Sequence, residues 1–483
     1  MAAADPSAPS GPLHHAPPHH PTHIPVSLPR VLGPFDATMV VVGSVIGSGV
    51  FLKPATIATA LPYFGPIITV WITIGLITLC GCLALAELGA MLPQAGGPYV
   101  YLREAYGKLP AFLWGWTEFW IIRTGSIAAL STGTAINVNV LCDGRLDHYG
   151  QMTVTLAAVI FLSAVNYAST RWAAHVQNVT SIIKVAFLAA IVVLPFCFGK
   201  ASAANLAPVW PTRADAGIWT GFAAAMIAVL WAYDGWINIG PITEEIRNPQ
   251  RNVPLALMAG IATVMFVYVA ANCAYHLVLD MTTIVTPQVE GTTNNVATMT
   301  FAVLAGAAAA KIVAFGIMCS TFGAANSNMI TGPRIYFAMA RDGLLPHVVQ
   351  RVHGRFKTPA NAILLQCTWT VLLTTATFVY TSDPVAAFDA LTNFVIFGGS
   401  IFYALAVGAV FVLRYKRPEL PRPYRTWGYP VTPAIYLIAF AAALVSLFVA
   451  SPKESAWGSL LIAAGIPVFL YMRRDAAARA AQV

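Results

Sequence analysis

The sequence predicts an all-α integral membrane protein of twelve membrane-crossing helices, and three observations carry that prediction. Of its 483 residues, 58% are hydrophobic and only 10% are charged, against about 25% charged in a soluble globular chain. Apolar runs near 20 residues recur along the chain, each long enough to cross about 30 Å of hydrocarbon. The basic residues are one-sided: about 19 of the 27 Lys and Arg fall in loops on one face of the twelve-helix layout and about four on the other. That positive-inside bias places both termini in the cytoplasm of a plasma or inner membrane protein. It also accounts for the net charge of +8 without a nucleic-acid partner. Alternation of period 2 is absent, so a β-barrel is not expected.

Helix 1, about 36–60, is interrupted by Gly43-Ser44-Val45-Ile46-Gly47-Ser48-Gly49-Val50-Phe51. Glycine costs about 1 kcal/mol against Ala inside a helix. Within a bilayer, unpaired backbone must be buried in protein or line a wet cavity. The stretch therefore reads as a helix broken at mid-membrane depth. The N–H groups of Ser48, Gly49 and Val50 would face an anion, assisted by the helix dipole. Carbonyls near Val45 and Ile46 would face a cation, and an amino acid carries both charges. The rival reading is helix packing through Gly43 and Gly47, a G-x-x-x-G pair.

Helix 2 is expected over 66–92, with Glu87 near its inner end. Gly96-Gly97-Pro98 opens an amphipathic cytoplasmic stretch over 99–107. Helix 3 covers 110–139 and carries Glu118 and Arg123. A spacing of five does not share a tight helical face, so each is expected to pair elsewhere. Helices 4 and 5 cover 151–168 and 176–198, with Lys184 inside the second, and 199–214 form an outer loop. Helix 6, 216–246, is broken at Trp231-Ala232-Tyr233-Asp234-Gly235-Trp236 and stops before Pro249. Helix 7 covers 253–279, the polar outer stretch 280–298 has room for a short helix, and helix 8 covers 304–331. A second amphipathic cytoplasmic stretch, 332–343, follows. Helices 9 to 12 cover 360–380, 386–414, 431–450 and 456–472, and Arg473 and Arg474 anchor the last on the inside.

Residues 1–30 lack the apolar core of a cleavable signal peptide. Their His14, His15, His19, His20 and His23 fit either a metal or a disordered solvated tail, and the tail is the expectation. The seven Cys show no metal spacing, and no cofactor or metal is expected.

The pattern repeats after five helices, because helices 1 and 6 are both broken. Five is odd, so the halves have opposite topology, and paired interrupted helices point to a transporter site at the midplane. The expected organisation is a tail over 1–30, repeats over 31–199 and 200–414, two further helices over 415–474, and a tail over 475–483.

Five stretches then carry a resemblance: Gly43–Phe51; Gly96–Leu102; Trp231–Trp236 with Thr243-Glu244-Glu245; Arg334–Pro346; and Arg417–Tyr424. The chain resembles the amino acid–polyamine–organocation (APC) superfamily and, within it, the L-type amino acid transporter branch. The resemblance implies a twelve-helix, five-plus-five inverted-repeat (LeuT-type) fold and sodium-independent movement of amino acids, often by one-for-one exchange. Animal members pair with a single-span glycoprotein through a Cys in the loop after helix 3. Cys142 lies in that loop, but its surroundings differ from the animal pattern, so no such partner is expected.

By the same resemblance, Ser48 and Gly49 match the substrate-carboxylate position and Ile46 matches the carbonyl for the ammonium; their neighbours Gly47 and Val50 are further candidate substrate-binding residues. Trp231 matches the aromatic gate that closes over the substrate, and the Trp231 and Ala232 carbonyls would share the ammonium. Asp234 pairs with a cationic side chain in relatives that exchange dibasic for neutral amino acids; capping the helix half that restarts at Gly235 is its other reading. Lys184 matches a Lys that places its ammonium where sodium-using relatives hold the ion. There it would tie helix 1 to helix 8 through Ser320 or Thr321; carrying a proton is the alternative, since a buried Lys is readily deprotonated. Glu244 and Glu245 either pair with Arg334 or Arg341 as an inner gate or form a solvated cluster. Asn326 and Asn393 are candidate cavity residues.

The functional expectation is a sodium-independent amino acid transporter working by alternating access. Exchange of neutral, and also dibasic, amino acids is the first mode, and proton-coupled symport through Lys184 is the second. A membrane amino acid sensor is a third reading. No nucleophile, triad or metal constellation supports an enzyme.

Overall fold

In the computed structural model of the chain, residues 27–213, 216–285, 295–381, 384–450 and 452–480 are described. Most of the expected N-terminal tail, with its five His, lies outside the described residues. Regular structure among the described residues is helical throughout. The chain opens with α1 (Pro34–Val45) and α2 (Gly49–Ala60), the two halves of the first expected helix. Next come α3 (Phe64–Met91), α4 (Pro98–Tyr106) and α5 (Lys108–Thr117). A π turn, Glu118–Ile122, joins α5 to α6 (Arg123–Leu141). Helices α7 (His148–Ala168), α8 (Thr170–Cys197) and α9 (Ala216–Ala232) follow. A 3-10 helix, Trp236–Glu245, leads to α10 (Pro249–Val278), α11 (Met281–Val285) and α12 (Val296–Ala305). The remainder comprises α13 (Ala309–Arg341), α14 (Ala360–Tyr380), α15 (Pro384–Lys416), α16 (Val431–Ala450) and α17 (Pro452–Ala480).

Among the described residues, eight helical segments are long and apolar enough to cross a membrane, with α1–α2 and α12–α13 each counted as one. Two shorter apolar helical stretches, Ala216–Leu230 and Val431–Ser446, add to them. Large apolar side chains face outward on several: Phe266 is 74% exposed, Ile438 72% and Val379 68%. In water such faces would aggregate; against acyl chains they are solvated. The chain is an integral membrane protein.

At its centre α1 packs between α8 and α10, α13 lies against α6 and α8, and α15 against α6. Helix α16 packs on α3 and α15. Gly43 lets α1 approach α8 closely, since a Cβ there would fall 2.1 Å from Gln177 Nε2. The packing reading of Gly43 therefore holds for that residue.

Several expectations are corrected. The third helix is not a plain α-helix over 110–139 but carries the π turn. The second amphipathic stretch is not separate: α13 runs unbroken through Pro333 to Arg341. Pro333 withdraws the donor that would serve the Met329 carbonyl without ending the helix, and the Arg334 guanidinium binds the next carbonyl, Ile330 O, at 2.6 Å. The fifth helix begins six residues early, at Thr170, because the Ser169 hydroxyl accepts from the Trp172 N–H and caps it. The last half of the sixth helix is 3-10 rather than α. The last helix continues past 472 to Ala480, where a tail was expected.

Candidate functional site

The first break leaves Ile46, Gly47 and Ser48 outside helical geometry. Among the described residues, the N–H groups of Ser48, Gly49 and Val50 have no hydrogen-bond acceptor. Carbonyls on the other half of the break are engaged by side chains. Lys184 Nζ donates to Gly43 O and Ile46 O, both at 2.8 Å. The Ser320 hydroxyl reaches Ile46 O at 3.1 Å and Gly47 O at 2.9 Å. Lys184 on α8 and Ser320 on α13 thus meet at the carbonyls of the broken helix. Thr321 points elsewhere, to the Thr134 hydroxyl at 2.8 Å.

The second break is the run Tyr233-Asp234-Gly235 between α9 and the 3-10 helix. Gly235 holds φ +107°, and a Cβ there would meet Ser44 O at 2.8 Å, so only glycine fits against the first break. Gly49 is pressed as closely, its Cβ position lying 2.9 Å from Ala232 Cα. The Tyr268 hydroxyl bridges the two breaks, 2.9 Å from Val45 O and 3.0 Å from Ala232 O. The Asp234 carboxylate lies beside the Gly235 N–H and the Tyr403 hydroxyl.

A cavity of about 170 Å³ opens between these breaks. Its polar wall includes Ser44, Gly47, Ser48, Gly49 and Asp234. Arg123, Asn238 and Asn328 form its base. Ala232 also lines it, whereas Ile46 and Val50 are fully buried behind the wall. Asn326 is likewise behind it, bonded to Ala173 O and Gln177 Oε1; the α13 asparagine at the cavity is Asn328. The side chains of Trp231 and Asn393 lie outside the described residues.

Arg123 and Glu118 do pair, Nε to Oε2 at 2.7 Å, which corrects the expectation of separate partners. The reason is the π turn. Its wider i→i+5 geometry places residues five apart one above the other. Arg123 Nη1 also donates to Asn238 at 2.8 Å, Asn328 at 2.6 Å and Thr331 at 3.1 Å. One guanidinium therefore ties α6, the 3-10 helix and α13 together at the base of the cavity. Sequence reasoning passed over Asn238, Asn328, Tyr268 and Tyr403. The signal available was polar side chains within apolar runs, which by default are functional or paired in a membrane.

The end of the molecule near Glu244 and Glu245 is closed. Arg334 clasps Glu245, Nε to Oε1 at 2.7 Å, with both side chains buried and Thr170 bonded to the pair. Arg341 Nη1 reaches Glu244 at 2.9 Å, and Glu244 also accepts from the Leu28 and Ala95 amides. Of the two readings, the solvated cluster is ruled out. Beside it Arg103 and the Tyr99 hydroxyl converge on Asp342, both at 2.6 Å. Burial and the Asp342 carboxylate push the Tyr99 phenol far above its usual range, so it stays a donor.

A membrane-embedded helical bundle with a polar cavity where two interrupted helices meet is the architecture of a solute carrier. This chain belongs to the amino acid permease family, within the APC superfamily: the family model described as "Amino acid permease" matches residues 32–471. The serine/threonine exchanger SteT of Bacillus subtilis (strain 168) is 32% identical, over 92% of this chain and 98% of its own. The Homo sapiens large neutral amino acids transporter small subunit 2 is 31% identical, over 92% and 80%. The Homo sapiens b(0,+)-type amino acid transporter 1 is 31% identical, over 83% and 79%.

Proposed function

We propose that the protein carries amino acids across the membrane by alternating access, without sodium, by exchange. The observation that carries this reading is the donor set at Ser48–Gly49, open to a cavity and set against the carbonyl end of a second broken helix. Free N–H groups at a helix start suit a carboxylate. The Ala232 carbonyl and the Asp234 carboxylate suit the ammonium or a basic side chain. Neutral amino acids are the principal cargo, with dibasic ones admitted through Asp234; Trp231 is the gate over them. The twelve-helix, inverted-repeat arrangement, with the Glu244–Glu245 end facing the cytoplasm as the inner gate, completes the proposal. Names of relatives that are exchangers support it.

Lys184 supports independence from sodium. Its ammonium sits against two carbonyls and beside a hydroxyl that shares one of them, a cation's environment filled by the chain's own charge. Exchange follows from the same dipoles: without cargo, the Ser48–Gly49 donors stay unpaired in the cavity, which opposes switching of the empty carrier. Cys142, an exposed free thiol, is proposed to have no partner chain, so Cys142→Ser is expected to leave uptake unchanged in proteoliposomes.

The test is uptake of labelled alanine, leucine and arginine into sodium-free proteoliposomes, with and without unlabelled amino acid inside. Uptake that requires internal amino acid is the expected result. Accumulation in empty vesicles under an inward proton gradient would instead make Lys184 a proton carrier. Loss of arginine uptake alone in Asp234→Gly is expected if that carboxylate reads the side chain.

A further inference from the structure

The cavity does not end at the two breaks. Phe440, Ala443 and Leu444 of α16 line it as well. Their spacing of three and four places them on one helical face. Ile227 and Leu230 of α9 and Leu130 of α6 line the same cavity, so its wall has an apolar part besides the polar one.

Helix α16 lies in the part of the chain beyond the two expected repeats, yet it is fastened to the site by a ladder of rings. Tyr436, one turn before Phe440, stacks on it at 4.6 Å between centroids. Tyr436 also meets Trp236, the first residue after the second break, at 5.7 Å. Tyr403, whose hydroxyl faces Asp234, lies 6.4 Å from Phe440 and 6.3 Å from Trp236. The polar part of the wall and its apolar part are therefore coupled through one aromatic cluster.

We infer that α16 supplies the far wall of the side-chain pocket and that Ala443 and Leu444 set how large an apolar side chain the carrier accepts. This rests on the transport reading above and refines its substrate class to neutral amino acids with bulky apolar side chains. With the carboxylate at the Ser48–Gly49 donors, the rest of the molecule has the apolar part to fill. The small Ala443 leaves that part open, and Phe440 closes its floor on the Tyr403 side.

The experiment compares uptake of alanine, leucine and phenylalanine by exchange in proteoliposomes. Ala443→Phe is expected to lower the kcat/KM for leucine and phenylalanine at least tenfold relative to alanine, since a pocket reads even one methylene by roughly tenfold or more. Ala442→Phe adds the same ring on the exposed face of the same helix and is expected to leave the ratios unchanged. Leu444→Ala, which removes volume and spares folding, is expected to raise phenylalanine uptake relative to leucine severalfold. Wild-type ratios in both Ala443→Phe and Leu444→Ala would overturn the inference while leaving transport intact. Wild-type vesicles that exchange none of the three would overturn the transport reading itself.

Discussion

Lys184 is the residue on which the most local argument rests. Its ammonium is fully buried and donates to Gly43 O and Ile46 O. Removing it strands the buried Gly43 carbonyl, at about 1–3 kcal/mol for an unsatisfied group, and leaves Ile46 O to Ser320 alone. Lys184→Met, similar in length and apolar, is therefore expected to cut exchange at least tenfold in initial-rate uptake. Activity near wild type would show that the charge does not hold the break. Tyr268 is a gentler case, because its hydroxyl serves Val45 O and Ala232 O in turn. Tyr268→Phe keeps the ring and removes about 1 kcal/mol of hydrogen bonding. A fall of about fivefold in kcat/KM is expected, with thermal stability in detergent nearly unchanged.

At the scale of elements, caps and turns decide where helices begin and how they face. Asp147 caps α7, its Oδ1 accepting from the Gly150 N–H at 2.7 Å. Asp147→Ala is expected to cost about 1 kcal/mol of stability, read as a lower melting temperature with exchange unaffected, because α7 is remote from the cavity wall. The π turn acts differently. It packs Phe119 and Trp120 on Tyr336 and Trp369, and it turns Arg123 over Glu118 and toward Asn238 and Asn328. Glu87 on α3 shows the same logic between elements. Its carboxylate takes Arg414 at the end of α15 and the Thr426 amide beyond it, fastening the loop that leads to α16. The wall formed by α16 is thereby positioned from both ends, by Glu87 at the loop and by the Tyr436–Phe440 stack within the helix.

At the scale of the whole molecule, the cavity between the breaks lies apart from an end held by paired charges. The buried Arg334–Glu245 pair closes the end. Taking away one member of a buried pair costs about 3–5 kcal/mol, because the other charge is left without a counterion. Arg334→Ala is expected to weaken closure at that end. A thiol placed nearby by Ala95→Cys, buried at 1% exposure, would then react faster with a membrane-impermeant reagent than in the Arg334 background. Equal labelling rates would argue that the pair does not govern access. Arg334→Lys restores the charge but not the forked geometry and is expected to rescue closure only in part.

Composition and apolar run length alone determined that this chain is a helical membrane protein, because hydrocarbon tolerates little else and leaves a strong mark on sequence. The two breaks were equally legible, since Gly47-Ser48-Gly49 and Asp234-Gly235 are unusual residues at mid-membrane depth. The pairing of Glu118 with Arg123 was not legible, because it depends on a π turn that no local pattern announces. Nor was the asparagine at the cavity: Asn326 and Asn328 are two residues apart on one helix, and only packing against α7 and α8 turns the first away and leaves the second exposed to the site. The bridging Tyr268 and the α16 wall belong to the same kind. They join segments distant in sequence, and such contacts are decided by how helices pack, which tertiary structure alone specifies.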